Sequence, residues 1–263
     1  MRKTATLVIL ALAALSSSPA AHADTTTENT NFIKKAYADL LQRSPTPADV
    51  ALGLTALGSE SRYDFALSLD TSTPYYQLLV NSYFQGLLGR PALGDLSLFV
   101  PLLQSSSTDE SVQALIAGSP EFFSHNGGTE ASFVTALYHD FLQRSPTPVE
   151  SSSWGLALSS MSFTREQVAA MILGSSEYDT DLVESYYLRF LQTSADSAGL
   201  AFFASALHGG TLTDEQVIAS LIGSDAYFTL AQTSSQAQTP EPRTIVLLAL
   251  GLAALVLFRK QFS

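Results

Sequence analysis

Two adjacent polar residues come nearest to a catalytic group in this sequence. His139 and Asp140 would supply two thirds of a hydrolase triad, which any of the many serines could complete. A nucleophile needs a base held beside it, however, and the Gly-x-Ser-x-Gly elbow that presents a nucleophilic serine is absent. Three similar segments of the chain hold other pairs at this position: Ala38-Asp39, Phe84-Gln85 and Leu188-Arg189. The sequence therefore predicts no catalytic residue and a protein that is not an enzyme.

A calcium site is the other chemical hypothesis. Asp179, Asp181 and Glu184 bring three carboxylates together, but Glu184 stands where an EF-hand loop requires glycine. These acids suit the positive end of a helix instead. His125 and His208 are far apart in sequence, and the chain contains no cysteine that could bind zinc. We expect neither a metal nor a cofactor.

The chain contains four similar segments of about 50 residues. The segment from Tyr37 to Pro47 returns almost letter for letter from Tyr138 to Pro148, and weaker copies begin at Tyr83 and Tyr187. A second element, in which an aromatic residue follows a Gly-Ser pair, ends at Phe122, Tyr178 and Tyr227. This self-similarity predicts a tandem repeat.

The residues of each repeat have the spacing of helices. One apolar stripe with three- and four-residue steps comprises Phe133, Leu137, Tyr138, Phe141 and Leu142. Most of the 15 Phe and 10 Tyr occupy such positions, so core packing is expected rather than the stacking of sugars, and Trp154 and Tyr138 are predicted to lie in the core. Long period-two alternation is absent, and the fold class predicted is all-α.

Several polar and glycine positions mark the predicted helix ends. Thr164 and Thr213 begin capping boxes, and Gly174 and Gly223 stand where a helix end favours a left-handed residue. Three arginines hold the same position, at the end of the first helix of their repeats: Arg43, Arg90 and Arg144. We expect them to pair with the free carbonyls of the helix end.

A family resemblance rests on residues of the third and fourth repeats. The residues that match its pattern are Leu137-Tyr138, Arg144, Pro146, Trp154, Ser176-Glu177-Tyr178, Asp196, Gly199-Leu200 and Phe202-Phe203. The segment from about Phe32 to Phe228 thereby resembles the bacterial family called domain of unknown function 4214 and, more distantly, the phycobilisome-linker-like helical domains. The resemblance implies an all-helical repeat and, because the family has no assigned activity, no chemistry.

The body of the chain is strongly acidic. All 24 acidic residues lie between Asp24 and Pro242 against 8 basic ones, which gives this stretch a net charge of −16. Such a surface repels nucleic acid and anionic membranes, so neither is expected as a partner of the body.

The N-terminal residues have the pattern of a secretory signal peptide. Arg2 and Lys3 precede an apolar stretch from Leu7 to Leu15. The small residues Ala21 and Ala23 then predict cleavage directly before Asp24. We expect residues 1–23 to engage the Sec machinery and signal peptidase.

The C-terminal residues form a second targeting pattern. The triplet Pro240-Glu241-Pro242 precedes an apolar run at 244–258, and Arg259 and Lys260 follow it. A helix of 15 residues spans roughly 22 Å, less than the roughly 30 Å of a bilayer core, so it is marginal as a permanent anchor. The positive-inside rule places Arg259 and Lys260 in the cytoplasm. The tail resembles the PEP-CTERM sorting domain of Gram-negative bacteria, which implies cleavage by an exosortase near the triplet.

The sequence thus predicts the following organisation: signal peptide 1–23, helical repeats one and two at 30–124, repeats three and four at 125–228, a Ser/Thr/Gln linker at 229–239, and a sorting tail at 240–263 with a single transmembrane helix at 244–258. The resemblances imply transient residence in the inner membrane and then the cell surface, outer envelope or extracellular matrix. We expect a non-enzymatic structural or interaction protein associated with exopolysaccharide. The alternative is a surface module that binds carbohydrate or a partner.

Overall fold

The computed structural model describes residues 25–105 and 107–237, and these residues form an all-α fold without strands, as predicted. The first half contains α1 (Thr25–Leu41), α2 (Pro47–Leu57), α3 (Arg62–Asp70), α4 (Thr73–Leu88), α5 (Leu96–Ser105), α6 (Asp109–Ala117) and α7 (Pro120–His125). The second half contains α8 (Glu130–Leu142), α9 (Pro148–Ser159), α10 (Arg165–Leu173), α11 (Ser176–Tyr186), α12 (Ser197–His208), α13 (Asp214–Ile222) and α14 (Asp225–Ala237). A 3-10 turn at Leu93–Asp95 precedes α5, and a π-helical turn at Tyr187–Leu191 extends α11.

Threonine and serine side chains begin most of these helices. Thr164 accepts a hydrogen bond from the backbone N–H of Gln167, and Gln167 accepts one in return. Thr213 and Gln216 do the same, so both predicted capping boxes are confirmed. Further boxes form at Thr46, Ser61, Thr129 and Thr147. Each box satisfies N–H groups that have no partner within the helix.

The apolar stripe predicted for α8 is buried along its whole length. Tyr138 is buried, as expected, whereas Trp154 is only partly buried against the core, so its predicted place inside the core was wrong. The Trp154 indole N–H donates to the Tyr138 hydroxyl at 3.0 Å. A buried indole needs such a polar partner, and this bond holds the ring at the rim of the core.

The left-handed residues do not lie where the glycines predicted them. Gly174 and Gly223 end their helices with φ of −86° and −69°. The left-handed positions instead follow the first helix of each repeat-like segment, at Gln42, Gly89, Gln143 and Gln192. At Gly223 the absence of a side chain allows close packing instead, since a Cβ atom there would lie 2.9 Å from the Tyr63 backbone.

Helices far apart in sequence pack in pairs. α13 packs on α3, α10 packs on α6, and α14 packs on α1, so the last helix described contacts the first. Within the α6–α10 pair, a Cβ atom at Gly118 would lie 2.6 Å from the Cα of Glu166, which shows how closely the two backbones approach. Phe32 on α1 packs against Phe65, Tyr227 and Phe228 with ring centroids 5.8, 6.0 and 6.1 Å away. These contacts join both ends of the described chain in one core.

The linker predicted at 229–239 was wrong for the residues that are described. α14 continues to Ala237, because Ala231 is buried and Gln232 bonds to α1. The Gln232 side-chain amide donates to the Glu28 carbonyl at 3.1 Å and accepts from Asn31 at 3.0 Å. α1 likewise begins at Thr25, earlier than the repeat boundary predicted at residue 30.

Both predicted targeting segments lie outside the described residues, including Ala21, Ala23, Asp24, the triplet at 240–242, the span at 244–258, Arg259 and Lys260. None of the helices within 25–105 and 107–237 has the length and apolar character that a bilayer crossing requires.

Candidate functional site

The two residues that suggested catalysis lie on the surface. His139 and Asp140 are both exposed on α8. Within the described residues, no hydrogen bond joins either side chain to a serine hydroxyl. His125 ends the short helix α7. His208 ends α12, and its Nδ1 lies 2.9 Å from Oδ2 of Asp179. His125 and His139 both lie near enough to Asp140 to lower the pKa of its carboxyl, whereas burial, the larger effect, raises it.

Two of the three carboxylates of the calcium hypothesis have separate hydrogen-bond partners. Asp179 faces His208, while Glu184 Oε2 accepts the backbone N–H of Ala195 at 3.0 Å. Asp179 lies in the first turn of α11, as expected, where a negative charge interacts favourably with the positive end of the helix dipole. Ser175, not an acid, caps that helix. The described part of the chain contains no group of three or more His, Cys, Asp or Glu side chains arranged to hold a metal ion.

Arg144 forms a clamp that ties three helix ends together. Its Nε and Nη2 donate to the two carboxylate oxygens of Glu177 at 2.5 and 2.8 Å, at the start of α11. Its Nη1 and Nη2 also reach Glu150 in the first turn of α9, at 3.1 and 2.8 Å. The guanidinium lies over the Tyr138 ring, 4.9 Å from its centroid. Bidentate pairing of this kind fixes geometry as well as charge.

Arg90 repeats the clamp in the first half of the chain. Nε and Nη2 donate to Glu121 at 2.5 and 2.7 Å, and Nη1 donates to Asp95 at 2.8 Å. The prediction that these arginines pair with free helix carbonyls was wrong: the carbonyl that Nη1 reaches, at 3.2 Å, belongs to Pro91 or Ser145, which lie after the helices end. Carboxylates are the main partners, and charge–charge pairing explains why.

The clamp lowers the pKa of its carboxylates. The hydrogen bonds from Arg144 hold the pKa of Glu150 at about 2, and Thr147 adds to the shift. The pKa of Glu177 is lowered by Arg144, and that of Glu121 by Arg90. All of these carboxylates remain ionised at neutral pH, so the clamps persist there.

Buried acids at the junction of the helix pairs form the second polar feature. Asp70 ends α3, Asp109 begins α6 and Asp214 begins α13, and all three are buried. Both carboxylate oxygens of Asp70, and Oδ1 of Asp214, are buried without a hydrogen-bond partner among the described residues. Unpaired buried carboxylates are costly when charged, so the neutral form is favoured.

Burial is the main cause of the pKa shifts in this group. Burial, and next the charge of Glu215, raise the pKa of Asp70 to about 9. Burial and then Glu215 and Glu110 raise the pKa of Asp109 to about 8. The pKa of Asp214 is raised well above its usual value by burial and then by Asp109. These upward shifts favour the protonated form of all three acids in the folded protein.

Tyrosines surround the same acids. Burial raises the pKa of five tyrosines, and Asp109 raises each further: Tyr75, Tyr76, Tyr83, Tyr178 and Tyr186. Sequence reasoning missed this centre, because Asp109 and Asp214 follow capping threonines and have the pattern of ordinary first-turn acids. Only the pairing of distant helices reveals that they are buried.

An open depression of about 440 Å³ lies beside α5, lined by residues that include Leu93, Leu96, Val100 and Pro101. Gln77 and Ser97 supply its polar side chains, and it has no acidic or basic one. This surface lacks a group for acid–base chemistry.

Comparison with known proteins places part of the chain in context. Residues 113–182, from α6 to α11, match the model of the family described as "Domain of unknown function (DUF4214)". The match covers the Arg144 clamp, all of α10 and the second half of α6. No curated protein and no solved structure matches the chain.

Proposed function

We propose that this is an exported, non-enzymatic structural or interaction protein of the cell surface or extracellular matrix. The pair of terminal sequence signals carries the proposal: the small residues before Asp24, and the Pro240-Glu241-Pro242 triplet followed by an apolar run and Arg259-Lys260. Signal peptidase removes residues 1–23 after Sec export. The inner membrane then holds the tail until an exosortase-type enzyme cuts near the triplet, and the product associates with exopolysaccharide.

We further propose that the body consists of four tandem helical units of the type matched at 113–182. Recurring contacts support this division. The clamp of Arg90 matches that of Arg144. Arg62 lies over the Phe228 ring as Arg165 lies over the Phe123 ring.

A non-enzymatic role is supported by what the polar side chains do. The clamp arginines tie helix ends together, and the buried acids lie where water and substrate do not reach. Catalysis requires a positioned group that a substrate can contact. These features fit a protein whose polar residues maintain the fold.

The alternative function is a surface module that binds carbohydrate or a partner. Exposed apolar side chains favour it, since Phe163 and Phe202 are each 40% exposed and Met161 is 90% exposed. Aromatic faces of this kind stack on sugars and other flat groups.

Complementation of a deletion strain tests the proposal. We expect the His139→Ala/Asp140→Asn double variant to restore the phenotype fully, because an exposed pair with no nucleophile performs no chemistry. A variant without residues 240–263 should be exported but lost from the matrix fraction, which immunoblotting of the fractions measures. If the double variant folds but does not complement the deletion, the hydrolase hypothesis is supported instead. If the protein without its tail stays in the matrix fraction, the sorting proposal is wrong.

A further inference from the structure

Arginines at one shared position differ in how many carboxylates they bind. In Arg90 and Arg144, the edge formed by Nε and Nη2 is filled by a glutamate that lies at the start of a later helix. That glutamate is Glu121 or Glu177, two residues after the capping serine of its helix. Nη1 of each arginine donates to a second, nearer acid, which is Asp95 or Glu150, and in Arg144 Nη2 also donates to Glu150 at 2.8 Å. Each of these two arginines therefore binds two carboxylates, and the one from the later helix is the one that spans Nε and Nη2.

Arg43 has the acid at Nη1 but lacks the glutamate at Nε and Nη2. Its Nη1 donates to Asp49 at 2.8 Å and to the Ser44 carbonyl at 3.2 Å. Its guanidinium lies 4.9 Å from the centroid of the Tyr37 ring, the same arrangement as in Arg144 on Tyr138. Among residues 25–105 and 107–237, no carboxylate reaches Nε or Nη2 of Arg43.

Pro74 explains the missing partner. It follows the capping serine Ser72 by two residues, which is the position that Glu121 and Glu177 hold in their helices. Proline has no acceptor in its side chain, and Pro74 is exposed. The Arg43 side chain is accordingly 45% exposed, compared with 35% for both Arg90 and Arg144.

We propose that the Nε and Nη2 edge of Arg43 binds a glutamate or aspartate carboxylate of a partner protein. The proposal rests on the proposed function, which it deepens by naming the chemistry of the partner. Asp49 and Tyr37 hold the guanidinium in place before the partner arrives, so a bidentate carboxylate loses little of its binding free energy to ordering the arginine.

The two filled clamps favour a carboxylate from a protein over one from a sugar. In both, the occupant of this edge is a glutamate side chain that approaches with its two oxygens parallel to the two N–H groups. The filled clamps therefore display the ligand that the empty edge lacks. A uronate sugar carries the same carboxylate on a bulkier ring, and it serves as the competing ligand in the test.

The test follows the Nε–H resonances of the three arginines in the ¹⁵N-labelled full chain in detergent micelles. The probe is an N-acetylated, C-amidated peptide with the sequence of residues 175–178, which carries one carboxylate, and the control peptide has glutamine in place of Glu177. We expect the Arg43 signal to shift and saturate with a dissociation constant on the order of 1 mM. The Arg90 and Arg144 signals should not move, because their edges are occupied.

Variants of the full chain make the result decisive. Pro74→Glu should supply the missing carboxylate internally, move the Arg43 signal to the shifted position without peptide, and weaken the peptide response at least about tenfold. An unchanged Arg43 signal in Pro74→Glu would overturn the proposed geometry. Equal shifts with the glutamine peptide, or no shift, would overturn carboxylate binding.

The competing ligand separates the two partner classes. A galacturonate trimer that saturates Arg43 at a tenfold lower concentration than the peptide would overturn the protein partner in favour of an acidic polysaccharide. None of these outcomes affects retention of the full chain in the matrix fraction. A failure of this inference is therefore distinct from a failure of the proposed function.

Discussion

The Asp70→Asn protein is expected to exceed the natural protein in free energy of unfolding at pH 8 by about 2–5 kcal/mol. Burial raises the pKa of Asp70 from 3.8 to about 9, so the folded state holds a proton that the unfolded state releases. This contribution to stability is complete below about pH 4, falls by about 1.4 kcal/mol per pH unit, and is lost by about pH 9. Asparagine carries no charge in either state and removes that loss.

Urea unfolding at several pH values between 5 and 9 measures the effect. The slope of stability against pH matters more than the absolute value, because the new amide N–H groups have their own burial cost. Glu60→Gln is the control, since Glu60 is exposed and the substitution likewise replaces a carboxyl group with an amide. Identical slopes for Asp70→Asn and the natural protein would show that Asp70 is ionised in the folded state.

The Gly118→Ala protein is expected to lose about 1–3 kcal/mol of stability, which is the range for atoms added to a packed core. Its Cβ atom would lie 2.6 and 2.7 Å from the Cα and backbone N of Glu166. A backbone cannot rotate away as a side chain does, so α6 and α10 must separate. Gly118 has φ of −74°, and the loss therefore comes from the contact and not from backbone strain.

Gly86→Ala is the matched control for this prediction. Gly86 lies within α4, and a Cβ atom there would have no neighbour within 4 Å. Alanine should therefore stabilise the helix by about 0.5–1 kcal/mol. Equal changes in the urea midpoint for the two variants would contradict the close packing of α6 on α10.

Local features of the fold could be predicted because their causes are local. A capping box needs only a threonine and a glutamine three residues later, so Thr164 and Thr213 mark helix starts without tertiary contacts. The stripe of α8 follows from helix geometry alone. The left-handed glutamines escaped prediction, because glutamine has no preference for that conformation and the fold imposes it.

The long-range features required the structure. The spacing of residues does not reveal that α13 packs on α3 or that α14 packs on α1, and the buried state of Asp70 follows from such pairing. The shared position of Arg43, Arg90 and Arg144 was visible in the sequence, but Glu121 and Glu177 lie 31 and 33 residues from their arginines. Helix propensity carries no information on contacts at that distance.

The pH dependence also has an acidic limit set by the clamps. The pKa of Glu150 is lowered to about 2 by Arg144, so its stabilising contribution is present above about pH 4.5 and is lost as the pH falls toward 2. The buried acids stabilise the folded state most at low pH. The clamp carboxylates stabilise it most at a pH above the pKa that they have in the unfolded chain. Mildly acidic conditions should thus give the greatest stability.

The intact mass of the exported protein tests the central claim, which is that paired terminal signals deliver a non-catalytic helical body outside the inner membrane. We expect a chain that begins at Asp24 and ends near the Pro240-Glu241-Pro242 triplet in a strain with an active exosortase. A mass that still includes residues 244–258 in that strain would contradict the account, as would a chain that retains residues 1–23.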